Sequence, residues 1–496
     1  MDGFDTIIVG AGAAGCVLAA RLTEDPAREV LLVEAGPSDE GVAAIRDPAR
    51  WTSLIGGALD WGYSYAASPH LGGREVAIPR GRVLGGCSST NALLWYRGHP
   101  DDYDDWSGQG ADGWDFAAVL PFFRRSEDWQ GGANRWRGAG GPMRLERPAD
   151  PHPAALALLE AAPAFGIPRI ADANGASNEG ACLADLTMRA GRRCSTADAY
   201  LRPALGRPNL HLRTGAEVAR LRLEGGRCRG IDCLVDGSVE AVEASGEVVL
   251  CAGAIGSPLL LIRSGIGPDD DLRRLGIPTQ ICLPVGHNLQ DHPLIGHVTF
   301  RAAAPMGPVR DNGGGSMMNW RSQPGRGRPD LHAVVAQGPD RFGLSPGLMG
   351  STSRGFLRLH PQGVEIQPNL LAERADVEAL MDGVALCFEM GLGPHFRALA
   401  AGPVSPPPLD RSGLEAFVRA SCSSFFHPCG TCRMGTGKDS VVDPVLRVHG
   451  MDGLRVVDAS VMPSIPSCNT LAPTVMIAER AAVLMRAGRP AELSHA

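Results

Sequence analysis

The chain has 496 residues, of which 44% are hydrophobic and 20% charged, and a formal net charge of −7. That length and composition exclude a disordered chain and require two or more cores, and the mild acidity leaves no basic footprint for nucleic acid or an anionic membrane. No apolar run reaches the roughly 18 residues of a membrane span, and the first predicted strand starts too close to Met1 for a signal peptide, so a cytoplasmic protein is expected.

Residues 7–9, Ile-Ile-Val, predict a buried parallel strand. Gly10, Gly12 and Gly15 follow at G-x-G-x-x-G spacing, a helix is predicted over 14–22, and a second apolar run ends at Glu34. Gly10 allows a tight turn, Gly12 lets backbone approach a pyrophosphate, Gly15 lets helix pack on strand, and the helix N-terminus offers free N–H groups to phosphates. Glu34, about 20 residues past the loop, can accept ribose hydroxyls. Together with the adjacent Ala13, Ala14 and Ala35, these residues predict a dinucleotide site. NAD and FAD both remain open at this point, because enzymes of either kind share this unit.

A stretch rich in Gly, Pro and Trp then predicts loop and extended surface. At 79–91 the chain reads P-R-G-R-V-L-G-G-C-S-S-T-N. Gly85 and Gly86, followed by small hydroxyl residues including Ser89, allow close backbone approach to a flat ligand, and Asn91 offers an amide to it, with Ala92 next in line. The alternative is a glycine turn starting a helix over 92–95. Helices are predicted over 116–125 and within 148–167. Residues 210–249 alternate apolar and polar around turn signals, which predicts a meander of short antiparallel strands. A returning strand over 247–251 leads through Ala252 and Gly253 into an apolar helix, with Ser257 as N-cap and Pro258 at its first position. A second strand-to-helix turn of small residues implies another backbone surface pressed on the cofactor, which favours FAD over NAD.

Residues 294–425 carry no cofactor loop and form the natural substrate domain, with β-like runs at 331–335 and 355–359 and a helix over 376–386. Met317, Met318, Asn319 and Trp320 are read as core. The 13 cysteines are odd in number and scattered in apolar surroundings, as reduced thiols are. Cys429 and Cys432 form a C-x-x-C, but no second pair stands at metal spacing, and no metal is expected.

His427, set between Phe425, Phe426 and Pro428, would be fixed and partly desolvated, and desolvation keeps imidazole neutral near pH 7, as a general base must be. Further on, a buried strand ends in Asp458, next to Ala459, and a polar turn with Asn469 and Thr470 opens an apolar helix.

Taken in order, the G-A-G-A-A-G loop with Glu34, G-R-V-L-G-G-C-S-S-T-N at 81–91, G-A-I-G-S-P-L-L-L-I-R-S-G-I-G at 253–267, V-G-H-N-L-Q-D-H at 285–292, H-P-C-G-T-C-R-M-G at 427–435 and N-T-L-A-P-T-V-M at 469–476 resemble the glucose-methanol-choline (GMC) family of FAD-dependent oxidoreductases over nearly the full chain. The resemblance implies an α/β fold. Its Rossmann-like FAD-binding domain with an inserted β-meander would be built from 1–145, 186–293 and 427–496, and an α+β substrate-binding domain with an antiparallel sheet from 146–185 and 294–426. It also implies oxidation of a primary or secondary alcohol to an aldehyde or ketone, with oxygen or another electron acceptor as partner. In that reading His427 is the base, Asn469 (a second His or an Asn in the family) holds the oxygen, and a hydride passes to flavin N5.

By the same resemblance, Gly85, Gly86 and Asn91 lie beside the isoalloxazine, Asp458 lies near the ribityl chain, and the backbone of Val218 meets the adenine. The expected cofactor contacts are therefore Gly10, Gly12, Ala13, Ala14, Gly15, Glu34, Ala35, Gly85, Gly86, Ser89, Asn91, Ala92, Val218, Ala252, Gly253, Asp458, Ala459, Asn469 and Thr470. Thr90 stands where some members attach FAD through a His, so non-covalent FAD is expected. The alternatives are a lyase or photodecarboxylase on the same fold, or a non-catalytic flavoprotein; the presence of both His427 and Asn469 argues against the last.

Overall fold

The computed structural model describes residues 3–408 and 410–487. Strand β1 (Phe4–Val9), helix α1 (Ala13–Leu22) and strand β2 (Val30–Val33) form the first unit. Every residue of β2 is buried, as in a parallel strand covered on both faces, which has no room for a polar alternation. The residue before α1 is Gly12, which has no side chain to cap the helix, so the first-turn N–H groups stay open to a ligand.

After the one-turn helix α2 (Cys87–Thr90), the main sheet is completed by β3 (Leu210–Arg213), β4 (Glu217–Glu224), β5 (Arg227–Val235) and β6 (Ser238–Leu250). Helix α3 (Gly253–Arg263), strand β7 (Leu454–Val456) and helix α4 (Leu471–Ala487) follow. The strand order is β3-β2-β1-β6-β5-β4, with β7 also paired to β6. Residues 92–95 are not helical; beyond Asn91 the chain is irregular, and Leu93 takes a left-handed φ of 63°.

Two expectations are corrected. Residues 210–213 do not open an antiparallel meander, because β3 pairs in parallel with β2 at the edge of the Rossmann-like sheet. Only Leu210 of this edge strand is buried and its other residues are partly exposed, so it lacks the continuous apolar run of a central parallel strand. The returning strand is likewise the end of β6, which runs antiparallel to β5 through residues 238–243 and parallel to β1 from residue 244. The second correction concerns α3, which begins at Gly253, so that Ser257 and Pro258 lie inside it rather than at its cap.

The second large sheet has eight strands, all paired antiparallel. Its main path links Gly180–Leu183, Ser316–Trp320, Leu331–Gln337, Arg341–Leu348, Thr299–Ala302 and Ala400–Pro403. Residues 317–320 are buried in it as core. Helix Arg374–Leu392 covers the sheet, and its Phe388 meets Phe300 edge-on with 6.2 Å between ring centroids. Two short strands, Pro293–Ile295 and Cys422–Ser424, pair antiparallel at the margin of this sheet. The chain enters the first from Asp291 and His292 and leaves the second into Phe425, Phe426 and His427, so this one pairing brings those residues together. Among the described residues no helix is long and apolar enough to cross a membrane.

Candidate active site

One cavity of about 670 Å3 runs between the two sheets. Its wall brings together Glu34, Ala35 and Val218, the loop residues Gly10, Gly12, Ala13, Ala14, Gly86, Ala252, Gly253, Asp458 and Ala459, and Asn91, Ala92, His427, Asn469 and Thr470. Its size falls within the roughly 300–1,000 Å3 of a buried-ligand site. The cradle fits an elongated dinucleotide. A Cβ on Gly86, at φ 52°, would stand 2.8 Å from Gly12 Cα, so the two glycine loops close on each other through bare backbone. Glu34 Oε2 and Oε1 accept the Ala11 and Gly36 N–H groups, each at 2.8 Å, which fixes the carboxylate while each oxygen keeps a lone pair for a ribose hydroxyl.

Gly15, Gly85 and Ser89, expected beside the cofactor, are not among the residues that line the cavity. Gly15 lies behind the wall, where a Cβ would reach within 1.9 Å of the Gly10 carbonyl, so its role is the packing of α1 on β1. Gly85 faces the Ser89 hydroxyl, which donates to the Leu84 carbonyl at 2.6 Å. These two shape the loop from behind.

His427 is 7% exposed. The ring of Phe425 stacks on it at 17° with centroids 4.9 Å apart. Phe426 holds a left-handed φ of 67°, fixed by Ser424 Oγ accepting its N–H at 2.7 Å and Arg80 Nη2 donating to its carbonyl at 2.6 Å. Asn469 Nδ2 lies 3.1 Å from His427 Nε2, and His292 Nδ1 lies 3.0 Å from His427 Nδ1. An amide nitrogen only donates, so His427 Nε2 is the accepting atom and its ring proton sits on Nδ1, directed at His292. Burial holds the His427 imidazole well below the usual histidine value, and the neighbouring His292, Arg80 and His332 push the same way. His292 is pushed down to about 3, mainly by burial.

Asp291 organises this cluster. It accepts the backbone N–H groups of His427 and His292, each at 2.8 Å, and the hydroxyls of Tyr65 at 2.5 Å and of Ser424. Burial still raises its carboxyl above the ordinary aspartate value.

Asp458 lines the cavity, but its carboxylate is already engaged. Oδ2 accepts Gly253 N–H at 2.8 Å and Ser257 Oγ at 2.6 Å, and Oδ1 accepts Ser460 N–H at 2.8 Å. It thus caps α3 from the loop just beyond β7, which is why that helix can begin without a capping residue of its own. Pro258, inside α3, has no N–H for the Ala254 carbonyl. Thr431 Oγ1 donates to that carbonyl instead, at 2.7 Å, and so ties the loop after His427 to the cofactor helix.

Sequence reasoning assigned no role to Asp291, His292, Tyr65, Arg193 or Thr431. The adjacent Asp-His of V-G-H-N-L-Q-D-H was the available signal for the first two. All 13 thiols are free; Cys429 and Cys432 are buried, and the described residues hold no cluster of three or more His, Cys, Asp or Glu able to bind a metal.

Comparison with known proteins gives a consistent picture. A family model described as GMC oxidoreductase matches residues 4–294, and its C-terminal counterpart, of the same description, matches residues 351–478. The chain is similar to the mitochondrial choline dehydrogenase of Homo sapiens, at 41% identity over 99% of this chain and 91% of that protein. It is 35% identical to the oxygen-dependent choline dehydrogenase of Sinorhizobium fredii, over 96% of this chain and 94% of that one. The crystal structure of pyridoxine 4-oxidase from Mesorbium loti superposes with a TM-score of 0.94 at 35% identity, covering 98% of this chain and 100% of the other.

Proposed function

Because the chain belongs to the GMC oxidoreductase family and is an FAD-dependent oxidoreductase acting on CH–OH donors, we propose that it oxidises an uncharged primary or secondary alcohol with His427 as the general base. The observation that carries this reading is the buried pair His427–Asn469 in the cavity wall, with Nε2 as the accepting atom. An alcohol hydroxyl placed between them gives its proton to His427 Nε2, and Asn469 Nδ2 turns its N–H to the oxygen left behind. His292 Nδ1 accepts from His427 Nδ1–H throughout and supports the imidazolium that forms. FAD, when bound along this cradle, would supply the two-electron, hydride-accepting chemistry that the oxidation needs. Base catalysis of this kind contributes on the order of 10²–10⁴ in rate.

Gly10, Gly12, Gly86 and Gly253 would hold the cofactor through backbone, with Glu34 at the adenosine ribose and Asn91 at the flavin end. Thr90, which lines the cavity, has no imidazole to attach it, so FAD released intact on acid denaturation is the expected outcome.

Two relatives are named for choline, a quaternary cation. Among the described residues the cavity wall has four carboxylates, all engaged. Glu34 and Asp458 are held as described, Asp60 accepts the N–H groups of Gly56, Gly62 and Arg80, and Glu217 faces Arg82 at 3.6 Å. The substrate sheet contributes Leu294, Val334 and Val335 to the wall, with Phe425 beside them. That apolar part of the wall offers a neutral alcohol a surface to lie on. The test is anaerobic bleaching of the flavin by a panel of aliphatic and aromatic alcohols with choline included, then turnover with oxygen and with an artificial acceptor. Neutral alcohols are expected to bleach the flavin and choline to be poor. Choline as the best substrate would overturn the uncharged-substrate reading, and bleaching by no alcohol would overturn the activity.

A further inference from the structure

Arg193 is 3% exposed, and its guanidinium makes four hydrogen bonds, all to uncharged oxygens. Nε donates to the Ile45 carbonyl at 2.9 Å, Nη1 to the Ser88 carbonyl at 3.1 Å and to Asn91 Oδ1 at 2.7 Å, and Nη2 to the Asn91 carbonyl at 2.7 Å. Among the described residues no carboxylate forms an ion pair with it. Asp198, whose charge acts on it, is itself paired with Arg46 and Arg202. Burying a cation without a paired anion is expensive, and a hydrophobic residue of similar size would avoid that penalty. Burial pushes the guanidinium down to about 9, so it is still charged at neutral pH.

The residue it grips lines the cavity. Asn91 Oδ1 receives two donors, Arg193 Nη1 and the Leu93 N–H at 3.0 Å. Both can only donate, so the carboxamide cannot be turned round, and Nδ2–H, which has no partner among the described residues, is directed away from them. Leu93 itself sits at a left-handed φ, a conformation a bulky residue keeps only when its surroundings hold it there.

We propose that Arg193 is a positioning residue for the flavin: its planar fork locks the Asn91 amide with Nδ2–H toward the ring, and its unpaired charge behind that wall favours the reduced cofactor. The proposal rests on Asn91 facing the flavin and is independent of which alcohol is oxidised. Accepting a hydride adds two electrons and one proton, so the ring system goes from neutral to a single negative charge. A fixed cation in a low-dielectric wall stabilises that product over the oxidised form.

The experiment measures the two-electron midpoint potential by dye equilibration, and the Kd for FAD, in wild-type holoenzyme and in Arg193→Gln, Arg193→Lys and Asn91→Ala; it uses no alcohol, so it stands apart from the substrate assignment. Arg193→Gln removes the charge and is expected to lower the reduction equilibrium at least tenfold, about 30 mV for a two-electron couple. Arg193→Lys keeps the charge but not the fork, so its potential stays within that shift while FAD binds at least tenfold more weakly. A potential unchanged in Arg193→Gln, or FAD affinity unchanged in Asn91→Ala, overturns the proposal. If the Gln variant fails to load FAD, the Lys variant decides: wild-type FAD affinity there contradicts the role of the fork.

Discussion

His427 and His292 meet through their Nδ1 atoms at 3.0 Å, with ring planes 85° apart. Two facing nitrogens need one proton between them, and the amide nitrogen of Asn469 at His427 Nε2 places it on His427. His292 therefore selects the tautomer in which His427 Nε2 is the accepting nitrogen. With Nδ1 accepting, the ring proton of His292 sits on its own Nε2.

Replacing His292 with Leu should leave His427 Nδ1–H without an acceptor and allow the inactive tautomer. Flavin reduction is expected to slow by roughly tenfold or more, within the 10²–10⁴ that base catalysis supplies. Gln offers an amide oxygen at the same place and should recover much of the loss. Equal rates for the Leu variant and wild type in anaerobic single-turnover measurements would refute the tautomer role.

The pH dependence follows from the same burial. As the proposed base, His427 would work only when neutral, and its ionisation is depressed well below the ordinary value of 6.5. The rate of flavin reduction should therefore stay flat as pH falls to 6.5 and show its acid limb only below that. A limb centred at or above 6.5 would contradict the buried, cation-flanked site.

Stability should respond in a matching way. Unfolded histidines bind protons near pH 6.5, whereas native His292 and His332 stay neutral to about 3. The stability they contribute is present above about 6.5 and is lost as pH falls toward 3, at up to about 1.4 kcal/mol per pH unit for each histidine. Asp291, whose carboxyl is raised, acts in the opposite sense within the carboxylate range. Urea midpoints at pH 7.5 and 5.5 should therefore differ, with the lower one at pH 5.5; a higher midpoint at pH 5.5 would count against neutral buried histidines.

Thr431 fills the gap that Pro258 leaves in α3. Thr431→Val keeps the shape but strands the Ala254 carbonyl, and should destabilise the holoprotein by about 1–3 kcal/mol. Pro258→Ala restores an N–H four residues beyond that carbonyl, so the double variant should lose less than Thr431→Val alone. Additive losses in the double-mutant cycle would show that the two positions are not coupled.

The glycine loop, Glu34 and His427 were legible in the sequence because their constraints are local: a turn without side chains, an acid at the end of a strand, a histidine between aromatics. His292, Arg193 and Thr431 were not, because each acts on a partner 135, 102 and 177 residues away. Only the fold brings those pairs together, and nothing in the local pattern around Arg193 distinguishes it from a surface arginine. The strand misread at 210–213 has a related cause: alternation in the sequence does not report the direction of the neighbour. The cap of α3 was misplaced because its acceptor, Asp458, lies 205 residues from Gly253.

The most direct measurement is anaerobic stopped-flow reduction of the flavin by a good neutral alcohol in His427→Ala, with FAD content matched to wild type. Reduction slower by at least the 10²–10⁴ of general-base catalysis is the expected result, and reduction at the wild-type rate would contradict the assignment of His427 as the base.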